Sequence, residues 1–533
     1  MCENLNKVNL NESVTDTMPP KKVFEITGKD TLFAILFFVS SFLISALGVT
    51  GGFNGGFTIS AFILTVVMTL YLKNTVKKVS VFSVICLILS ITVTLSFLIT
   101  TNGSVRFWSF VVYYLLTLCW FVSMAREDKC TGDMGILTFM FRPAFTESLP
   151  NIPTSLLSLF ASKSSFNKNF VKILVGVLLA IPLLFVIIPL LISSDEAFNG
   201  MISLAIRDIF SFVLKLILSV IIFIFLISFA FTLKKEEEKP HKIINVARLE
   251  PIIVISFLSV LAICYLSYLF SQLAYFFSGF GGFLPKDYKF NVATYARRGF
   301  FEMCIIATIN FLIIFIVLLL TNKENKKLFI TVKSICGFIG VFTLVIIATA
   351  LSKMFLYIKS FGMTELRITT GMFMVFLTVV FISLLMRIFS EKIKVIKTAL
   401  ITAGIVLTLL GTVNVNTVIA TYNYNAYING ALKDIDVSTI SNLGDEAIPY
   451  LIKLTKNENI NIAEMAENEL SAQYYNYYET IIENNRLTAK SKISSVEIFN
   501  ISKLRAYKEF YKYLKKNPEI INDNYALEQA VFY

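Results

Sequence analysis

Six charged or aromatic residues flank two apolar stretches, and they are the side chains best placed to do chemistry. They are Asp195, Glu196, Tyr295, Arg297, Arg298 and Glu302. Arg298 and Glu302 are four residues apart, so on a helix they share one face and can pair. Charges this close to hydrocarbon are costly unless they are paired or face a water-filled cavity. The six residues are therefore a candidate polar site at the outer mouth of a bundle of membrane-spanning helices. The alternative that we favour for Arg298 and Glu302 is a clamp that packs the preceding loop onto the helices.

The apolar stretch before Asp195 contains Pro182 near its middle and Pro189 near its end. Proline removes a helical hydrogen bond and kinks the helix. Broken helices with polar ends mark substrate sites in some transporters, although kinked helices with acidic caps occur in many membrane proteins. The sequence thus leaves open whether the acidic residues Asp195 and Glu196 meet Arg297 and Arg298 to form one site.

Several kinds of reaction centre lack their residues in this chain. His241 is the one histidine, and it lies in a stretch rich in Lys and Glu. The seven cysteines form no CxxC or Cys/His pattern, and no phosphate-binding or dinucleotide-binding motif occurs. We therefore predict no catalytic residue, no metal site and no cofactor, and we favour a protein that is not an enzyme.

The composition indicates that lipid surrounds most of the chain. Of 533 residues, 56% are hydrophobic and 16% charged, against about 25% charged in a soluble domain. Apolar stretches near the 20 residues needed to cross hydrocarbon predict an all-α polytopic protein with about 11 transmembrane helices. The stretches cover about 31–48, 57–72, 79–101, 105–124, 171–193, 209–233, 251–277, 300–321, 328–352, 368–388 and 396–413.

The basic residues predict the orientation of these helices. With the N-terminus inside, the inner segments carry 25 Lys and Arg residues and the short outer loops carry 8. Because Lys and Arg accumulate on cytoplasmic loops, we predict N-inside and, with 11 spans, C-outside. This arrangement accounts for much of the net charge of +12, so no nucleic acid partner is needed.

The polar segments define the predicted domains. Residues 1–30 form a cytoplasmic N-terminal tail, and residues 31–413 form the bundle, whose loop 125–170 is expected to lie along the inner surface. Residues 414–533 contain 12 basic and 15 acidic residues and 13 Tyr. Apolar residues recur there at helical spacing, from Ile462 to Ile481 and from Val496 to Leu514, which predicts an extracytoplasmic helical domain.

Three elements of the sequence, the last of them in two parts, resemble a known family. Ser193–Phe198 is similar to an "SxDxxF" element, and Tyr295–Phe301 is similar to "YARxGF". Ile419–Asn423 and Leu443–Pro449 are similar to an "N…IAxYN" stretch and to the end of "LDxxYLxxLxxDAxPxL". Together they resemble bacterial multi-pass membrane proteins grouped as domain of unknown function 4173, related to the group numbered 4153. The resemblance implies a polytopic fold with an extracytoplasmic tail and supplies no established activity.

Two functions are compatible with this organisation. The first is a bacterial plasma-membrane protein whose outer tail senses, binds or scaffolds an envelope polymer or protein. The exposed tyrosines, which offer an apolar ring face and a hydroxyl, favour it. The alternative is a transporter or permease that works through the bundle, with the six polar residues at its outer mouth.

Overall fold

The computed structural model describes most of the chain after residue 23. The described residues are 24, 26–50, 52–75, 79–126, 133–161, scattered positions between 172 and 194, 196–235, 248–281, 300–483, 486–491, 500–517 and 525–527.

Ten helices in the described part are long and apolar enough to cross a membrane. This confirms the all-α polytopic fold. The spanning helices are α1 (Gly28–Leu43, extended by a π-helical turn at Ile44–Val49), α2 (Gly55–Leu72), α3 (Val81–Ile99), α4 (Gly103–Ala125), α7 (Glu196–Lys234), α8 (Pro251–Gly281), α9 (Phe300–Leu320), α10 (Lys326–Phe361), α11 (Glu365–Phe389) and α12 (Val395–Thr412). The predicted span at 171–193 lies mostly outside the described residues.

The bundle contains two apolar clusters. The first joins α1–α4 and α7 around large buried rings, among them Phe37, Phe57 and Phe223. The second joins α8–α11 around Leu258, Ile339 and similar side chains. Helix α12 contacts α3 and α4 on one side and α11 on the other, so it connects the two clusters.

Residues 133–161 are more deeply integrated than a surface loop. They form α5 (Asp133–Phe141), a π-helical turn (Arg142–Glu147) and α6 (Ile152–Ala161). Asp133 is fully buried, pairs with Arg387 of α11 and accepts the backbone N–H of Ile396 in α12. The sequence did not predict these bonds, because their partners come more than 250 residues later in the chain. That the segment lies along the inner surface stays a prediction.

The orientation of α7 separates the two ends of the bundle. Lys234 at its C-terminal end pairs with Asp30 at 2.5 Å, whereas its Lys215 carbonyl accepts a hydrogen bond from Ser45. Helices α1 and α7 are therefore antiparallel. Ser158 of α6 accepts the N–H of Phe24 near the Lys234 end, while α7 enters its span at the other end.

The C-terminal tail follows α12 at the end of the bundle opposite Asp30. The described residues of the tail form five α-helices and three short strands. They are α13 (Val415–Ile428), α14 (Val437–Ser441), α15 (Ile448–Leu454), α16 (Ile460–Tyr477), α17 (Ile501–Lys516), β1 (Tyr478–Glu483), β2 (Arg486–Ser491) and β3 (Tyr525–Leu527). Strand β2 pairs antiparallel with β1 and parallel with β3.

The helix predicted through Ile481 ends at Tyr477, and β1 follows it directly. The spacing of apolar residues is nearly helical here, but Thr480, Ile481 and Ile482 are β-branched and fit a strand better. The helices of the tail share one core, in which Leu451, Leu470 and Phe510 are fully buried.

Helix α12 approaches α3 so closely that one position tolerates only glycine. A Cβ on Gly411 would lie 2.3 Å from the Cβ of Ser96, whereas a Cβ on Gly371 in α11 would meet nothing within 4 Å. We expect Gly411→Ala to destabilise the protein in detergent by about 1–3 kcal/mol through overpacking. Gly371→Ala gains the same helix propensity without the clash and should be neutral or stabilising. Equal melting temperatures for the two variants would contradict the close approach.

Candidate functional site at the junction of tail and bundle

A buried carboxylate fastens the tail to the end of α3. Gly444 adopts a positive φ of 76° in the turn before α15, and this turn directs Glu446 inward. One oxygen of Glu446 accepts the backbone N–H of Thr101 at 2.8 Å and the hydroxyl of Thr100 at 3.2 Å. The other accepts the hydroxyl of Thr101 at 2.5 Å. Three hydrogen bonds to this one buried side chain hold the turn against the end of α3.

Two asparagines of α13 bind the ends of other spanning helices. Asn416 accepts a hydrogen bond from the side-chain amide of Asn102, which is the N-cap of α4, at 2.8 Å. The side-chain amide of Asn416 donates to the carbonyl of Leu443 at 2.9 Å. Asn423 accepts the N–H of Met363 at 2.7 Å and donates to its carbonyl at 2.8 Å. Met363 lies between α10 and α11. Seven residues of helix cover about 10 Å, which is the usual spacing of packed helices. Helix α13 therefore lies across the ends of the bundle.

Two further asparagines begin helices and also bind α3. Asn414 has a left-handed backbone conformation, which asparagine tolerates, and its side-chain amide donates to the hydroxyl of Ser502 at 2.7 Å. Asn500 caps α17 and donates to the carbonyls of Phe97 and Thr100 at 3.1 and 3.0 Å. The carbonyls at the C-terminal end of a helix lack partners within it, so these asparagines satisfy groups that lipid would leave unpaired.

The junction encloses a cavity of about 190 Å³ with both signs of charge around it. Its described lining includes Asp445, Glu446 and Arg505. Asp445 accepts a hydrogen bond from Tyr477, and burial raises the pKa of its carboxyl. The nearby positive charge of Lys503 opposes that rise. Both acidic side chains thus take part in contacts within the tail and at the junction.

A larger groove, of about 560 Å³, follows the opposite face of α13. The residues that anchor this helix, Asn416 and Asn423, lie on its buried face. The described residues that line the groove carry no charge and combine hydroxyl, amide and aromatic groups with small apolar ones. They are Thr417, Val418, Thr421, Tyr422, Asn425, Ala426, Asn429 and Ala431. Because α13 lies across the helix ends, this face points away from the bundle.

The polar site predicted from the sequence stays a prediction. Four of its residues lie outside the described part of the chain: Asp195, Tyr295, Arg297 and Arg298. Glu196 is the first residue of α7, and its side chain is not among those described. Glu302 is exposed in the first turn of α9.

The residues that form the junction are not among those that the sequence predicts to be functional. Asn416, Asn423 and Glu446 lie within or beside the segments that carry the family resemblance, which was the available signal. The sequence indicates only kinship for these residues, because no pattern in the chain pairs them with the ends of α3, α4 and α10.

We expect Glu446→Ala to loosen the tail from the bundle. Truncation leaves the buried N–H of Thr101 without its acceptor, which costs about 1–3 kcal/mol. Amide hydrogen exchange at residues 97–105 and 500–506 should accelerate roughly tenfold or more. Glu458→Ala, at an exposed position of the same tail, is the matched control and should leave exchange unchanged. Unchanged protection in the Glu446 variant would show that this carboxylate does not hold the junction.

Comparison with known proteins places the chain in a family. No curated protein and no solved structure matches it. A family model matches residues 59–454, which includes nine of the ten described spans in full or in large part and continues through α13 and α15. The matched region therefore includes both sides of the junction. Kinship with the related 4173 group stays a prediction. The chain belongs to the family described as Domain of unknown function (DUF4153).

Proposed function

We propose that this integral membrane protein binds a neutral glycan of the cell envelope in the α13 groove, on the outer side of a bacterial plasma membrane. The groove is the observation that carries the proposal. It lies on the exposed face of a helix whose other face is bound to the ends of the spanning helices. The protein acts in this proposal as a receptor or scaffold rather than as an enzyme.

The chemistry of the groove suits a chain of sugars. Sugars present hydroxyl groups together with apolar C–H faces. The side-chain amide of Asn425 supplies donors and an acceptor, and the ring of Tyr422 offers a surface for stacking. An anionic polymer would require Lys or Arg, and no described lining residue carries either.

The contacts at the junction support a role in which a ligand bound in the groove changes the positions of the spanning helices. Thr421 on the groove side of α13 contacts the hydroxyl of Tyr450 in α15 at 2.5 Å. Asn416 and Asn423 on the other side hold the ends of α4, α10 and α11. A ligand that shifts α13 must therefore strain bonds to three spanning helices, so occupancy and helix position are linked.

Calorimetric titration of the full-length protein with N-acetylglucosamine oligomers tests the proposal. Tyr422→Ala and Asn425→Ala should each weaken binding about tenfold or more, because a lost hydrogen bond or stacking contact is worth about 1–2 kcal/mol. Tyr511→Ala and Asn468→Ala make the same substitutions outside the groove and should bind normally. Failure of the native protein to bind these oligomers, or equal losses in all four variants, would contradict glycan recognition here.

The transporter alternative has its own supporting observation. Asn310 is fully buried within α9, where it accepts the Tyr265 hydroxyl at 2.6 Å and donates to Thr343 at 2.9 Å. Polar groups at membrane depth often line substrate pathways. Solute flux in proteoliposomes that falls in Asn310→Leu and Glu302→Ala, while groove variants transport normally, would favour this function over glycan binding.

A further inference from the structure

Helix α17 concentrates the positive charge of the tail. It holds half of the tail's 12 basic residues within 16 positions, together with one acid, Glu509. Four of the basic residues are exposed at helical spacing and form a continuous stripe, which we call the basic stripe. Its members are Arg505, Lys508, Lys512 and Lys515. Glu509 lies beside it, 3.7 Å from Lys512, and leaves the stripe strongly positive.

The opposite face of α17 is occupied by the core of the tail. Ala506, Tyr507, Phe510 and Leu514 are buried there. The helix is thus amphipathic, but its apolar face is already covered by protein. Only the basic face is available to a partner.

The start of α17 is held at the membrane boundary. Asn500 and Ser502 donate hydrogen bonds to the carbonyls of Phe97 and Ile99, at the end of a spanning helix. Ile501 is 54% exposed beside them, and Val413 at the end of α12 is 57% exposed. Because Phe97 and Ile99 lie in the last turn of a spanning helix, α17 begins at the level where that span ends.

The course of α17 keeps the stripe near the membrane. Its start lies near the start of α15, where the charges of Lys503 and Asp445 interact. Its end lies near the end of α15, where the side chains of Tyr513 and Thr455 are close enough to interact. These two helices are therefore parallel.

Helix α15 is in turn parallel to α13. Thr421 of α13 bonds to Tyr450 near the start of α15. Six residues later in α13, the hydroxyl of Tyr427 donates to Asn457, just past the end of α15, at 3.4 Å. Because α13 crosses the ends of the bundle, α17 also follows the membrane plane. The stripe from Arg505 to Lys515 then extends about 15 Å along that plane.

We propose that the basic stripe binds the phosphate headgroups of anionic phospholipids in the leaflet on the tail side. Lys and Arg near an anionic surface are attracted to it additively, and the attraction weakens with salt. Arg505 at the edge of the junction cavity makes the first contact, and the three lysines follow over successive turns. Headgroup binding holds the tail down independently of the junction bonds and of any ligand in the groove.

Lipid binding by the full-length protein in detergent tests this proposal. Native mass spectrometry measures the retention of phosphatidylglycerol and of phosphatidylcholine. A variant with Lys508→Gln, Lys512→Gln and Lys515→Gln should retain phosphatidylglycerol at least tenfold more weakly, with phosphatidylcholine unchanged. Glutamine preserves helix propensity, so α17 should persist, and an unchanged melting temperature checks that it does.

The matched control removes the same charge elsewhere in the tail. Lys433→Gln, Lys453→Gln and Lys456→Gln alter three exposed lysines that are not part of α17. This variant should retain phosphatidylglycerol like the native protein. Equal losses in both variants would mean that net charge alone is responsible, and undiminished retention in the stripe variant would exclude the stripe. Binding of soluble polyphosphate by the native protein, with no preference for phosphatidylglycerol, would assign the stripe to a soluble polyanion and overturn the proposal.

Discussion

The hydrogen bonds between the tail and the ends of the spanning helices are the contacts on which the rest of the structure depends. A helix that ends at the edge of the hydrocarbon leaves carbonyl groups without partners, and lipid supplies none. Asn500 and Ser502 satisfy those of α3, and Glu446 holds the turn that follows it. The tail therefore completes the bundle, and the match of the family model across this boundary agrees with that view.

The position of the tail follows from these bonds. Asn416 and Asn423 lie seven residues apart and bind two different helix ends, which forces α13 to cross the bundle. Its uncharged groove then faces away from the membrane. Helix α17 begins beside the end of α3 and carries an exposed basic face. One set of polar anchors thus separates two surfaces of different chemistry, a neutral one suited to sugars and a positive one suited to phosphate.

Part of the site was accessible from the sequence and part was not. The resemblance identified the segments around Asn423 and Glu446, because the residue pattern itself is recognisable. The roles of these residues were not accessible, since Glu446 and Thr100 are 346 positions apart. The six polar residues chosen from the sequence were selected by their closeness to apolar stretches. That criterion finds charges at helix entries and overlooks uncharged asparagines, which are the main anchors here.

The sequence alone determined that the chain is a polytopic helical protein, where its described spans lie and where the polar tail begins. These properties follow from the length of apolar runs, which is local information and is set by the thickness of the bilayer. Only the tertiary structure decided that residues 133–161 pack into the bundle, that the helix before β1 ends at Tyr477 and that α13 lies flat. Each of these depends on partners far along the chain, and such partners meet only after the helices have packed.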